Sequence, residues 1–369
     1  MKLIYRTDSG QTVWRDQTTL LIKFPTRRSI ATTSALNGGV RENIEAVFNH
    51  TVPQVSKSED LPGGSVPEYL RLVALGLGLK PENCSGLLTA AQMENAAWET
   101  LTFRQLEVQA VVTAGIDING GRAADPAAYY EEAGCFQPLG GTINILLAVN
   151  ANLPPETRLK SIITATEAKC AALQELLAPS QYSSGLATGS GTDGIIVVAD
   201  PASSLVLTDA GQHSKLGELI GCTVKTAVKK ALARETGLTP ARQMNILAQM
   251  KRFKLGPEYC WQRAVQFYPQ LQNYEEYCEL LTALSSRPEL VAQAAAVIHL
   301  QDQVQWGLLP PAQATAAARA MLASYHYGKG QAEPGPSPTS SLLDLLIDKL
   351  NALIYRELET QNSNKRGSG

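Results

Sequence analysis

The hydrophobic pattern of this 369-residue chain changes character once, near Glu235 to Gly237, and that change restricts the fold more than any motif does. Before it, short β-rich runs alternate with helical ones, and Gly or Pro stands at nearly every join. After it, helix follows helix, with Ala-rich stretches at residues 290–299 and 312–325. Two units of different kind are expected. The first, residues 1–236, reads as α+β, a mixed, largely antiparallel sheet layered with helices, because hairpins outnumber strand-helix-strand crossovers. An all-α C-terminal unit follows at 237–328. Beyond it come a Gly/Pro-rich linker at 329–341, an amphipathic helix at 342–360 expected to dock on its own domain, and a disordered tail at 361–369.

Within the first unit, residues 13–24 and 28–34 read as a hairpin with Pro25 at the turn. Asn37-Gly38-Gly39 is expected to lead into a short helix ending near Asn49, and residues 66–79 form a second helix with Pro67 in its first turn. Residues 99–103 and 108–114 form another hairpin. Residues 141–149 are apolar on both faces, which places that strand centrally in the sheet. A helix at 155–177, a strand at 194–199 and a helix from about His213 to Glu235 complete the unit.

Composition narrows the function. With 44% hydrophobic residues there is apolar side chain for a large core, yet no run approaches the ~20 apolar residues that span a bilayer. The opening Met1-Lys2-Leu3-Ile4-Tyr5-Arg6 is unlike a signal peptide, so a cytoplasmic address is expected. Six cysteines without a C-x-x-C pair read as reduced thiols. Net charge is −2, with 20 basic against 23 acidic residues up to Glu235 and 12 against 11 after it; neither part draws a phosphate backbone or a membrane surface. The expected partner is a small molecule, with a homo-oligomer or a protein partner bound through the helical extension as further options. Aromatics Tyr259, Trp261, Tyr268 and Trp306 would line a groove there, although core packing is the usual role of such residues. His50, His213, His299 and His326 lack the short spacing of a zinc site, and no metal is expected. Neither a G-x-S-x-G elbow nor a Walker loop occurs.

The segment Gly189-Ser190-Gly191-Thr192-Asp193-Gly194 satisfies G-x-G-x-x-G, but Ile195-Ile196-Val197-Val198-Ala199 follows it as a strand, so no helix dipole stands ready for a dinucleotide. What remains is a glycine-rich turn presenting backbone N–H groups with Ser190, Thr192 and Asp193, either a tight connection or a binding loop. Glu167 follows an apolar stretch and is flanked by small residues. Buried, it would suit general acid or base chemistry; the alternatives are a surface carboxylate or one paired with Lys169. His50 and His213 stand at element junctions, and a helix N-terminus suits a neutral histidine.

Taken in order, these segments resemble the adenosylcobinamide amidohydrolase family, the CbiZ-type enzymes of corrinoid salvage. The resemblance rests on Ser34-Ala35-Leu36-Asn37-Gly38-Gly39, Asn49-His50, Thr113-Ala114-Gly115-Ile116, and Gly141-Thr142-Ile143-Asn144-Ile145 with Asn150. It continues through Thr164-Ala165-Thr166-Glu167-Ala168-Lys169, Ala187-Thr188-Gly189-Ser190-Gly191-Thr192-Asp193-Gly194 and His213-Ser214-Lys215-Leu216-Gly217-Glu218. It covers roughly residues 10–235 and leaves the helical extension out. Ser190 stands where many relatives carry Thr, which keeps the hydroxyl.

The resemblance implies hydrolysis of the amide joining a corrin propionyl side chain to 1-amino-2-propanol, with the cobalt arriving in the substrate and no cofactor required. In that reading His50 and Glu167 serve as base and acid, and Asp193 orients the base or holds the departing ammonium. Asn144 and the amides of Gly189, Ser190, Gly191 and Thr192 contact the oxyanion or substrate, with Asn37, Gly38, Gly39 and His213 also at the substrate. A hydroxyl of Ser190 or Thr192 is the alternative nucleophile. A corrinoid-binding module without catalysis is the competing class. The base-off motif D-x-H-x-x-G does not fit, since Asp209 and His213 are four apart and Gly217 is four beyond.

Overall fold

A computed structural model of the chain describes residues 1–7, 10–52, 57–127, 141–323 and 341–367, with side chains to 363. Two units divide it, Met1–Thr239 and Pro240–Gly369. The first begins β1 (Lys2–Arg6), β2 (Thr12–Arg15), β3 (Thr19–Thr32), β4 (Gly39–Thr51), α1 (Val66–Gly76), β5 (Cys84–Thr89), β6 (Ala97–Phe103) and β7 (Leu106–Gly115). It continues β8 (Gly120–Gly121), β9 (Thr142–Val149), α2 (Pro155–Glu175), β10 (Gly189–Ser190), β11 (Gly194–Ala199) and α3 (Lys215–Thr236).

All eight residues of β9 are buried, as a run apolar on both faces requires, and β7 and β11 flank it. The large sheet runs β1-β2-β3-β11-β9-β7-β6, with β4 on the other side of β3 and β5 beyond β4. Among the described pairings of this sheet, β4·β5 and β9·β11 are parallel and the rest antiparallel. This is the expected mixed, largely antiparallel architecture.

Strand alternation sorts the side chains into three cores. Ile143, Ile145 and Leu147 of β9 face α2 and α3, meeting Ala165, Ala172, Val224 and Ala227. On its other face, Leu146 and Ala148 join Ile196, Val198, Leu20, Ile22 and Val47, so the sheet has curled until two of its parts face one another. Ala46 and Phe48 of β4 pack outward on Leu70 and Ala74 of α1. The layers are therefore helices, sheet, sheet, helix. Burying a side chain the size of Phe48 or Leu146 contributes about 1.5–3 kcal/mol.

Two local expectations fail. Pro25 is no turn: β3 runs through it, and the ladder with β4 is irregular between Lys23 and Arg28. Before that break β3 pairs with β2, and after it with β11. A residue without an N–H belongs at such an interruption. The hairpin turn lies earlier, where Asp16 Oδ1 accepts from Thr18 N at 2.9 Å and Thr19 N at 2.8 Å. The segment after Asn37-Gly38-Gly39, expected as a short helix ending near Asn49, lies in β4, because β3 and β5 pair with it on either side and bury Val47 and Phe48 on opposite faces.

The second unit is built of α4 (Pro240–Gln243), α5 (Ile246–Met250), α6 (Pro257–Phe267), α7 (Tyr274–Ser285), α8 (Pro288–Gln305), α9 (Pro311–Ala323) and α10 (Leu342–Gly367). Leu346, Ile347, Leu350 and Ile354 of α10 are buried in the same core as Leu281, Val297 and Ala318. A bidentate Arg252–Asp302 pair, at 2.8 and 2.7 Å, and Tyr277 Oη donating to Asn351 Oδ1 at 2.6 Å lie inside it. The aromatics do not assemble into a groove. Trp261 packs edge-on against Tyr277, Tyr268 stacks on Tyr355, Tyr259 donates to Asp344, and Trp306 is 55% exposed. Helix α10 runs to Gly367, past the expected end at 360 and through most of the expected disordered tail. The expected linker, but for Ser341, lies outside the described residues.

Candidate active site

The glycine-rich turn between β10 and β11 is organised by Asp193. Its Oδ1 accepts from Ile143 N at 2.9 Å and from Ser190 Oγ at 2.6 Å; its Oδ2 accepts from Ser190 N at 3.1 Å and forms an ion pair with Lys169 of α2. Four donors fill the four acceptor positions of an ionised carboxylate. The Lys169 and Asp193 side chains are 8% and 11% exposed. Gly189 is glycine because the pair lies against its Cα: a Cβ there would collide with Asp193 Oδ2 and stand 2.6 Å from Lys169 Nζ.

Hydroxyls extend outward from this charged base. Ser190 Oγ is 3.2 Å from Thr192 Oγ1, which is 2.8 Å from Thr142 Oγ1. The Gly141 carbonyl is reached by Asn119 Nδ2, Thr142 Oγ1 and Thr192 Oγ1, each at 2.7 Å. With two lone pairs for three donors, the threonine hydroxyls must share that acceptor and each other. Gly191 and Thr192 at the apex are exposed. The arrangement is a pair of hydroxyls, Ser190 half-buried and Thr192 exposed, mounted on a largely buried lysine–carboxylate pair. It follows the logic of a positioned nucleophile, with a hydroxyl, its acceptor and a third group holding the acceptor. The amides of Ser190 and Thr192, expected to contact the oxyanion or substrate, are engaged within the loop by Asp193 Oδ2 and Ser190 Oγ.

Asn144 lies beside the loop but is buried. Its Nδ2 donates to Asn49 Oδ1 and to the Leu88 carbonyl, both at 2.8 Å, and Asn49 Nδ2 donates to Thr113 Oγ1 at 2.8 Å. These side chains tie β9 and β7 to β4 and β5 across the curled sheet. Asn49 and Thr113 belong to the quoted segments, and the signal that marks them is a polar residue within a strand otherwise buried.

The other expected site residues are dispersed. Glu167 is exposed and accepts from Gln212 Nε2 at 2.5 Å; Lys169 pairs with Asp193 instead, since residues two apart on a helix point to different sides. His50 points from β4 to the α1 side, opposite to Asn49, with Thr19 Oγ1 2.7 Å from Nδ1 and Tyr69 Oη 3.1 Å from Nε2. Burial holds its pKa below the ordinary histidine range, against the opposing pull of the Asp16 charge. His213 is exposed and precedes Ser214, the N-cap of α3. Lys215 covers the Phe103 ring near the Val149 end of β9, whereas Asp193 binds Ile143 at its start, roughly 20 Å away along the strand. Asn37 donates to the Pro81 and Cys84 carbonyls at 2.6 and 2.7 Å, so the Asn37-Gly38-Gly39 turn anchors β4 to the segment entering β5. Lys169, omitted from the expected site, betrays itself by spacing: it lies on the face of α2 that carries Ala165, Ala168 and Ala172 into the core.

A family model described as adenosylcobinamide amidohydrolase matches residues 2–240. The chain belongs to this family. A relative from Methanosarcina mazei that bears the name adenosylcobinamide amidohydrolase is 32% identical over 190 residues, 52% of this chain and 76% of its own. An uncharacterized protein of Methanocaldococcus jannaschii is 35% identical over 234 residues, 59% of this chain and 86% of its own. Among solved structures, a Pyrococcus horikoshii OT3 protein covers 63% of this chain and 81% of its own at 12% identity and a TM-score of 0.32. The family match ends where the helical unit begins, and the quoted loops all lie inside it. Among the described residues no helix is long and apolar enough to cross a membrane, and no three His, Cys, Asp or Glu side chains are grouped to hold a metal.

Proposed function

We propose that the protein hydrolyses adenosylcobinamide at the amide between the corrin propionyl side chain and 1-amino-2-propanol, releasing adenosylcobyric acid and the amino alcohol, a step of corrinoid salvage in the cytoplasm. The observation that carries this reading is the family match across residues 2–240, which includes every loop of the candidate site. Cobalt is part of the substrate. Amide hydrolysis consumes one water and needs an oxygen nucleophile, stabilisation of the tetrahedral oxyanion and a proton for the leaving amine. The geometry favours the Ser190 and Thr192 hydroxyls, or a water they hold, as the group that meets the carbonyl, over the separated His50 and Glu167. Asp193 orients Ser190.

Incubation with adenosylcobinamide, followed by liquid chromatography and mass spectrometry, tests the reading. Adenosylcobyric acid and 1-amino-2-propanol are expected in equal amounts. Corrinoid that binds but stays intact would replace the hydrolase with a binding module.

A further inference from the structure

The Lys169–Asp193 pair has no explanation in stability alone. Two charges withdrawn from water lose hydration that their mutual attraction barely repays, and well-packed apolar residues of similar volume commonly serve as well or better. Here the pair also lies where a Cβ on Gly189 would stand, so a side chain at 189 would have to displace one of its ends. What it does uniquely is hold the loop: Asp193 takes both the backbone N–H and the hydroxyl proton of Ser190, and Lys169 pairs with the same Oδ2 that accepts the Ser190 N–H. The Ser190 hydroxyl proton is thereby directed inward, and its oxygen lone pairs are turned to Thr192, whose N donates to that oxygen at 3.3 Å and whose Oγ1 lies 3.2 Å away.

We infer that Lys169 is a positioning residue of the hydrolytic site, acting through Asp193 to set the direction of the Ser190 hydroxyl. The inference rests on the proposed amide hydrolysis and adds to it a residue on a different element, 24 positions before Asp193 in the chain. Lys169 lies behind the loop and touches no substrate, so its removal misaligns the hydroxyl without weakening binding. A displacement of about 1 Å at a reacting group costs on the order of 100-fold in rate.

The test measures kcat and KM for adenosylcobinamide with wild type, Lys169→Met, Ser190→Ala and the Lys169→Met/Ser190→Ala double variant. A fall in kcat of about 100-fold with KM within about threefold is expected for Lys169→Met. The double variant should be no slower than Ser190→Ala, because a residue that acts only through Ser190 has nothing left to position. Multiplying effects, or a Lys169→Met enzyme as fast as wild type, overturns the role. Should Lys169→Met fail to fold around the unpaired carboxylate, Lys169→Met/Asp193→Leu removes both charges together. It should still unfold in one cooperative transition, lowered because Ile143 N and Ser190 N lose their acceptor, while kcat falls to the Ser190→Ala level; a folded variant with full turnover sinks the inference. If wild type leaves adenosylcobinamide intact, the substrate reading fails, and the positioning role goes with it. Hydrolysis by wild type with an indifferent Lys169 removes the positioning role alone.

Discussion

Asp193 and His50 show how far two chemically suggestive residues depend on their surroundings. Asp193 is saturated by four donors and oriented; His50 is sandwiched between Thr19 and Tyr69. Because burial depresses the pKa of His50, the unfolded chain takes up its proton near the ordinary value of ~6.5 and the folded chain only at lower pH. The unfolded state then binds more protons in that window, so stability is full above ~6.5 and falls as pH drops toward the folded pKa. Urea unfolding at pH 7.5 and pH 5.5 should show wild type losing more stability than His50→Gln over that interval. Equal losses would remove His50 from the pH dependence.

At the scale of elements, α3 is tied to the loop before it by a near contact of backbone on backbone. Ser214 Oγ accepts from Gly217 N at 3.0 Å, and a Cβ on Gly217 would collide with the Gly211 carbonyl, itself part of the segment whose Ala210 carbonyl accepts from Thr164 of α2 at 2.7 Å. Neither backbone can yield without moving a helix. Gly217→Ala should therefore destabilise the protein by about 1–3 kcal/mol despite the better helix propensity of alanine. Chemical denaturation reads this, and a stabilised variant would contradict the close approach. The same scale explains which elements were legible. Strands β9 and β11 and helices α1 and α2 announce themselves by local apolar pattern or a proline in the first turn. Strand β4 does not, because Ile44, Ala46, Val47 and Phe48 fit a helix as readily until β3 and β5 take up their backbone groups. Pro25 misleads for a related reason: its meaning as a ladder break exists only once β2 and β11 are seen to share one strand.

For the whole molecule, among the described residues the three cores of the first unit draw on residues before 240, and the core of the second on residues from 246 onward. A chain ending at Thr239 should accordingly unfold in one cooperative transition, with turnover of the proposed substrate adenosylcobinamide equal to that of the full chain within about threefold. A polypeptide that is molten or insoluble would show that the first unit needs the second.

Local pattern was enough for the α+β class, the buried central strand and the ordered loop segments that carry the family resemblance, because each of those is written in residues adjacent in the chain or repeated at a fixed period. It was enough to show that a strand, with no helix dipole, follows the glycines of residues 189–194. The composition of the site was decided elsewhere. Helix α2 lies against β11 and β3, and the face of that helix carrying Lys169, not the one carrying Glu167, meets the loop. Pairings between residues 24 and 95 positions apart, Lys169 with Asp193 and Asn49 with Asn144, come from the direction in which packed elements cross, a property no local window contains.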